Sequence, residues 1–345
     1  MSLKEKAADA LALAGMLRVM EQLPTQPGIV VFNHHRIGDE RACSYDRGIF
    51  SASAEQFEAQ IAYIKRHFPV LLPNQLAELI ATKRPLTRMH AMITFDDGYL
   101  DNYEIAYKIL RRHGVPAAFY LVSGYVGSDT VPWWDEIAYA VRQCRKESLE
   151  VTWCAERPVM LEPDREAAIR TLVSAFKANS TRDASAALSE LRSESGVEIK
   201  GEGRRFLDWD EAREMAGGGM EIGAHTRTHP IISKLSPEEQ REELRSSKAS
   251  LEEHIGRPVG TFAYPNGSQA DFTRETMRLV EEAGYSTAFS FYGGINRDGW
   301  REPFNLLRVS PDPRPGSFRL DAILSSRFGR MEAALRGAYK RLRSA

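Results

Sequence analysis

Cysteine is scarce in this chain: Cys43, Cys144 and Cys154 are the whole complement in 345 residues. An odd count with no paired metal spacing excludes a disulfide framework and suggests free thiols in a reducing compartment. Charge of one sign is also missing, since 46 Lys and Arg face 47 Asp and Glu, for a formal net charge of −1. That balance argues against nucleic-acid binding driven by charge. No apolar run approaches the roughly 20 residues of a membrane span. The modest patch at 10–16 is followed by Arg18 and Glu21 and lacks a cleavage pattern. It reads as an amphipathic helix rather than a leader, so a cytoplasmic chain is expected. Internal repeats and low-complexity tracts are absent as well.

What remains is ordinary globular material, long enough for one large α/β domain or two smaller ones. Apolar, β-rich runs alternate with amphipathic helices. Candidate strands are 28–32, 69–72, 91–95, 117–122, 220–224, 261–264, 287–290 and 306–309. Ser53-Ala-Glu-Gln56 has the form of a capping box opening a helix with Phe57, Ile61 and Ile64 on one face. A second helix runs from Tyr103 to His113 and stops at Gly114. Ser236-Pro-Glu-Glu239 opens a third, reaching about Ile255. Such alternation predicts a mostly parallel sheet, and the chemical residues at strand C-terminal ends favour closure into a barrel. The stretch at about 141–205 is charged and poor in strand signal, and reads as a helical insertion after the fourth strand. From about 320 to 345 a C-terminal helix is expected. It carries Arg327, Arg330, Arg336, Lys340, Arg341 and Arg343, as a solvated face or a peripheral contact with an anionic membrane.

Three stretches carry chemistry. In Thr94-Phe-Asp-Asp-Gly-Tyr99 a buried strand delivers Asp96 and Asp97 together, and Gly98 lets the chain turn sharply. Adjacent carboxylates repel, so their placement at a strand terminus favours a nearby cation, although Asp-Gly is also a common turn. In Gly219-Met-Glu-Ile-Gly-Ala-His-Thr-Arg-Thr-His-Pro230, His225 and His229 can reach one ion from a strand end and its turn. One carboxylate and two imidazoles leave positions open for water and substrate. The third stretch, Val259-Gly-Thr-Phe-Ala-Tyr-Pro-Asn-Gly267, ends in a turn whose backbone can approach a ligand.

Together these motifs resemble the polysaccharide deacetylase family (the NodB-homology domain, carbohydrate esterase family 4). The resemblance runs from Val30 through Pro311. It includes Val31-Phe-Asn-His-His-Arg-Ile-Gly38, Val115-Pro-Ala-Ala-Phe-Tyr120 and Trp133-Trp-Asp135 beside the stretches above. It implies an α/β fold, a distorted (β/α)7-type barrel, one strand fewer than the eight candidates. A single deacetylase domain over 1–345 would hold the barrel at about 26–312. By the same resemblance Asp96 is the general base, Asp97, His225 and His229 hold a divalent metal ion, and Tyr264 lends its backbone N–H to the oxyanion. Zinc is the expected ion, with cobalt, nickel or iron also suited. The substrate implied is an N-acetylated glycan or a lipid-linked sugar.

Two departures from the family pattern matter. Many relatives supply a C-terminal histidine as general acid, but here the last histidine is His254, and that place reads Asn305-Leu-Leu-Arg-Val309. His67, His90, His113 and His254 are expected at solvent-facing ends of elements. His34 and His35 follow the first strand onto the rim shared with Asp96, and His35, matching the family's Tyr-His segment, is the expected acid. Phe262 stands where an arginine usually pairs with the base. Arg308 can reach that carboxylate from another direction, as a partner that keeps it ionised or as a rim salt bridge. Asp135 reads as an N-cap or first-turn residue, and of Trp133 and Trp134 one is expected in the core and one against substrate. Hydrolysis of a small non-sugar amide or ureide, and a glycan-binding pseudoenzyme, are the competing functional readings.

Overall fold

The computed structural model describes residues 15–82, 84–179, 184–199, 203–297 and 302–327, with Leu11 and Gly201. Six parallel strands, β1 Gly28–His34, β2 Met89–Asp97, β3 Ala118–Leu121, β4 Glu221–Ala224, β5 Thr261–Ala263 and β6 Thr287–Phe289, lie side by side in chain order. Parallel neighbours require crossovers, and helices on the outside supply them. The sequence-read caps are in place. Ser53 Oγ accepts from Gln56 N–H and Gln56 Oε1 from Ser53 N–H, opening the helix Ala54–His67. Ser236 does the same for Pro237–Ile255. The helix that ends at His113 stops where Gly114 turns left-handed, at φ 60°.

Of the eight strand candidates, six are the strands above. The run 306–309 joins both open edges of the sheet. Phe289 pairs with Leu306 and Phe32 with Val309, both in parallel. Leu306 N–H donates to Ala288 O at 2.9 Å and Val309 N–H to Val31 O at 2.8 Å. Seven segments therefore circle the barrel. The eighth candidate, 69–72, is peripheral: Val70 pairs with Ala91 on the edge of β2, ahead of Thr94, where β3 takes over. Two small ribbons escaped the sequence reading, Arg36–Ile37 with Phe50–Ala52 and Ser148–Leu149 with Val159–Met160. Strands of two or three residues leave no alternation to detect.

Strand side chains alternate between faces. Ile29, Val31, Met92, Ala118, Tyr120, Ala263, Phe289 and Leu306 form one buried cluster, whereas Val30, Phe32, Ala91, Ile93, Phe95 and Phe119 pack with the surrounding helices. Extending the first set by the strand period puts Asn33, Thr94, Asp96 and Arg308 on the same interior face, toward the C-terminal end of the barrel. Between β3 and β4 the helices Trp133–Gln143, Arg165–Asn179 and Ala184–Ser195 build an apolar cluster of their own, centred on Val141, Leu161, Leu172, Phe176 and Leu191. Near the termini, Leu17 packs on Leu320 and Ile323, and Arg319 forks onto Glu21 with both bonds at 2.6 Å. The basic run from Arg330 and most of the first 14 residues lie outside the described residues. Among the described residues, no helix is long and apolar enough to cross a membrane.

Candidate active site

Asp96 and Asp97 end β2, and their side chains have opposite surroundings. Asp96 is buried with a donor on each oxygen: Arg308 Nη1 at 2.7 Å on Oδ1 and Asn33 Nδ2 at 3.0 Å on Oδ2. Arg308 is itself fully buried and donates Nη1 to Asn33 Oδ1 at 2.8 Å and Nε to Ser290 O at 2.9 Å. Asn33 Oδ1 also accepts from Thr94 Oγ1 at 2.7 Å. Burial opposes ionisation of Asp96, but the Arg308 guanidinium, then His225 and His35, hold its carboxyl well below the usual carboxylate range.

Asp97 turns the other way because its backbone is left-handed, at φ 74°. Its Oδ1 is buried, accepts no hydrogen bond, and lies 3.5 Å from His225 Nε2 and 3.4 Å from His229 Nε2. Burial and then the charge of Asp96 push its pKa well above normal. His225, at the end of β4, gives Nδ1 to Ala263 O at 2.7 Å, which leaves Nε2 as the available lone pair. His229 has φ 59° and packs edge-on against Trp134, with ring centroids 4.6 Å apart. Burial lowers the pKa of both imidazoles, most strongly for His229. One ligand atom from each of Asp97, His225 and His229 falls within a 4.8 Å cluster. A buried carboxylate oxygen without a donor, facing two neutral imidazole nitrogens, fits a divalent cation.

The pocket over this cluster is lined by Asp96, Asp97, His225 and His229, with His35, Asn266, Trp133, Trp134 and Lys177 around them. His35 Nε2 is 3.9 Å from Asp96 Oδ2, and its backbone is tied to Ser51 and Asn102. Burial is the main cause lowering its pKa to about 4, against the pull of Asp96. His34 lies off the pocket, stacked on Phe95 and bonded to Gln60. The other histidines are remote as expected: His67 stacks on Tyr63, His90 bonds Arg88 O, His113 bonds Glu58 and His254 stacks on Trp209.

Tyr264 corrects the expectation placed on it. Its backbone N–H donates to Phe289 O at 3.0 Å as part of the β5–β6 ladder, and its phenol donates to Phe304 O. Neither donor is available to a substrate. Pro265 has no N–H, so the next backbone donor belongs to Asn266, which lines the pocket with φ 55°. Asp135 stands in the first turn of its helix, the second of the two places read for it, with Pro132 at the N-cap; it also lies buried, accepting from Tyr99 Oη at 2.9 Å, Asp46 N–H at 3.0 Å and Arg205 Nη1 at 3.2 Å. Tyr99 Oη accepts from Trp134 Nε1 at 2.8 Å, so this network sets the indole that buttresses His229. Trp133 and Trp134 both line the pocket, and Trp133 also stacks on Phe176. Phe262 is core, packed on Tyr264 and Tyr285. Asn33 and Asn266 were not anticipated, because an asparagine beside a strand end reads as turn chemistry.

Fold and site together define a parallel barrel with one carboxylate–imidazole centre at the C-terminal rim. The chain belongs to the polysaccharide deacetylase family, whose model matches residues 83–288. YxkH of Bacillus subtilis, described as a polysaccharide deacetylase, is 20% identical over 76% of this chain and 67% of its own length. The poly-beta-1,6-N-acetyl-D-glucosamine N-deacetylase of Staphylococcus aureus is 32% identical over 80 residues, which is 23% of this chain and 28% of that enzyme. Among solved structures, the Streptococcus pyogenes deacetylase PplD in complex with acetate superposes with a TM-score of 0.56 at 16% identity, covering 87% of this chain and 99% of that one. IcaB from Ammonifex degensii matches equally, at 0.56 and 19% identity over 88% and 99%. These likenesses show the shared barrel fold.

Proposed function

We propose that this chain hydrolyses the N-acetyl group of an amino sugar in a polysaccharide or glycan precursor, releasing acetate and a free amine. The observation that carries the reading is the contrast at one strand end, where each Asp96 oxygen has one donor and Asp97 Oδ1 has none beside His225 and His229. The staphylococcal relative named for poly-beta-1,6-N-acetyl-D-glucosamine and the acetate-bound PplD support this substrate class. Asp97, His225 and His229 would hold the divalent ion, zinc by preference, with cobalt, nickel or iron also compatible. Such an ion supplies Lewis acidity, lowering the pKa of water to about 7 and polarising the amide carbonyl.

The protein's own groups do the rest. Asp96, kept ionised by Arg308 and aimed by Asn33, accepts the proton of the attacking water. The Asn266 N–H, in place of the one expected from Tyr264, donates to the oxygen of the tetrahedral intermediate. His35 is neutral at rest. It takes the proton from Asp96 and delivers it to the departing nitrogen, since an amide anion is a poor leaving group. The helical unit of 141–205 is an insertion within one deacetylase domain spanning 1–345, and it walls the acceptor side through Val173 and Lys177. A cytoplasmic or lipid-linked sugar, met at most by peripheral membrane contact, is the setting this reading favours.

Acetate release from N-acetylated oligosaccharides, with and without chelator, tests the proposal. Asp96→Asn should abolish turnover, and His35→Ala should lower it about a hundredfold with bound metal unchanged. Near-normal turnover in His35→Ala would remove that residue from the mechanism. Turnover of small cyclic amides without acetate release would favour the ureide reading.

A further inference from the structure

We infer that the Asn266 side-chain carboxamide is a catalytic donor to the oxyanion, acting beside its own backbone N–H. The inference rests on the deacetylase reading above and adds a residue to it. Asn266 lines the pocket shared by Asp96, Asp97, His225 and His229. Its Nδ2 is buried and donates to nothing within the protein. Buried amide donors are normally paired, so an orphan inside a reaction pocket points to a partner that arrives with the substrate. Around it the carboxylates of Asp96 and Asp97 only accept, and the Trp134 indole N–H is already given to Tyr99 Oη.

The position of the amide is set before any substrate binds. Asn266 holds a left-handed backbone at φ 55°, one of four non-glycine residues in that region among the described residues, with Asp97, Thr226 and His229. Asp97, His229 and Asn266 line this pocket, and Thr226 holds the His229 N–H from behind it, as expected where local strain serves function. Gly267 pins the loop from the next position: its N–H donates to Pro265 O and its carbonyl accepts from Phe291 N–H, each at 2.6 Å. A Cβ on Gly267 would come within 2.7 Å of Phe291 N, so the approach needs glycine. A donor held this way needs no reorganisation when charge develops. As the water oxygen adds to the carbonyl carbon, the π pair moves onto the acetyl oxygen and Nδ2–H donates to it. On collapse the C–N bond breaks, the nitrogen takes a proton, and acetate leaves with the C=O restored.

Two variants separate the side chain from the backbone. Asn266→Gly keeps the backbone N–H and suits the left-handed conformation while deleting the carboxamide. Asn266→Asp keeps the shape and replaces the donor by a carboxylate. With N-acetylglucosamine oligosaccharides, kcat should fall on the order of a hundredfold in Asn266→Gly and further in Asn266→Asp, with KM and metal content unchanged. By calorimetry, a methylphosphonamidate analogue of the N-acetylated sugar should bind Asn266→Gly more weakly in proportion to that loss, while the free-amine product binds as before. The inference is overturned if kcat stays within about threefold of wild type in both variants, if the change is confined to KM, or if both variants lose the metal. A wild-type protein that releases no acetate from any N-acetylated glycan would strike the deacetylase reading itself, a result distinct from active enzyme with indifferent variants.

Discussion

The two sides of the barrel rim treat neighbouring carboxylates in opposite ways. On the Asn33–Arg308 side every oxygen of Asp96 has a donor, and every donor is fixed by a further bond to Ser290 O or Thr94 Oγ1. On the His225–His229 side Asp97 Oδ1 and His229 Nδ1 are buried with no hydrogen bond at all. On the first side only Arg308 Nη2 is left over, whereas on the second the atoms facing one another are themselves without partners. Two residues identical in type and adjacent in sequence thus differ because the pleat and a left-handed turn send them to different neighbours. Ionisation of Asp96 is favoured by its Arg308 partner, whereas ionisation of Asp97 is opposed by burial and by the charge of Asp96.

Removing the Asn33–Arg308 side should cost most. Arg308→Met leaves Asp96 buried without its counter-charge, and a loss of about 3–5 kcal/mol is expected in denaturant unfolding. The pKa of Asp96 is depressed by folding, so it contributes stability above its unfolded value of about 4 that fades as pH falls toward the folded value. The deficit of the variant should therefore be full at neutral pH and narrow on acidification; a deficit independent of pH would break the assignment. Next in size is a gain. In chelated protein Asp97→Asn removes a buried carboxylate that has no donor, and should raise stability by about 1–3 kcal/mol while abolishing metal uptake in a titration. A destabilised Asp97→Asn would mean the open side is closed by contacts of its own. Asn33→Ala should have the smallest effect, about 1–2 kcal/mol of stability with a partial fall in turnover, because Arg308 still reaches Asp96. A loss equal to that of Arg308→Met would make the two sides less distinct than the distances imply.

Much of this was legible from residue order. The six strands and both capping boxes follow from periodicity and cap chemistry, each a local signal, whereas the choice of Asp97 as the carboxylate beside His225 and His229 comes from the family resemblance. What was not legible depends on register and closure. The ladder occupies the Tyr264 N–H, and no local property of Tyr-Pro-Asn-Gly reveals which N–H groups a neighbouring strand will take. Asp135 is the helix-start residue it looked like, but nothing local shows that Tyr99, Asp46 and Arg205 converge on it from three separate parts of the chain. Asn33 gained its meaning from a partner 275 residues away. Arg308 was placed correctly as a candidate because it ends the last strand-like run, yet its approach to Asp96 depends on that run joining both sheet edges.

That closing segment has a consequence for when the protein becomes a catalyst. Arg308 stands 212 residues beyond the carboxylate it orients, and every residue of the Asp97–His225–His229 set precedes it. A nascent or clipped chain ending before this segment would carry Asp97, His225 and His229 with Asp96 lacking its guanidinium partner. On the deacetylase reading proposed above, such a chain should release no acetate until this segment closes the barrel.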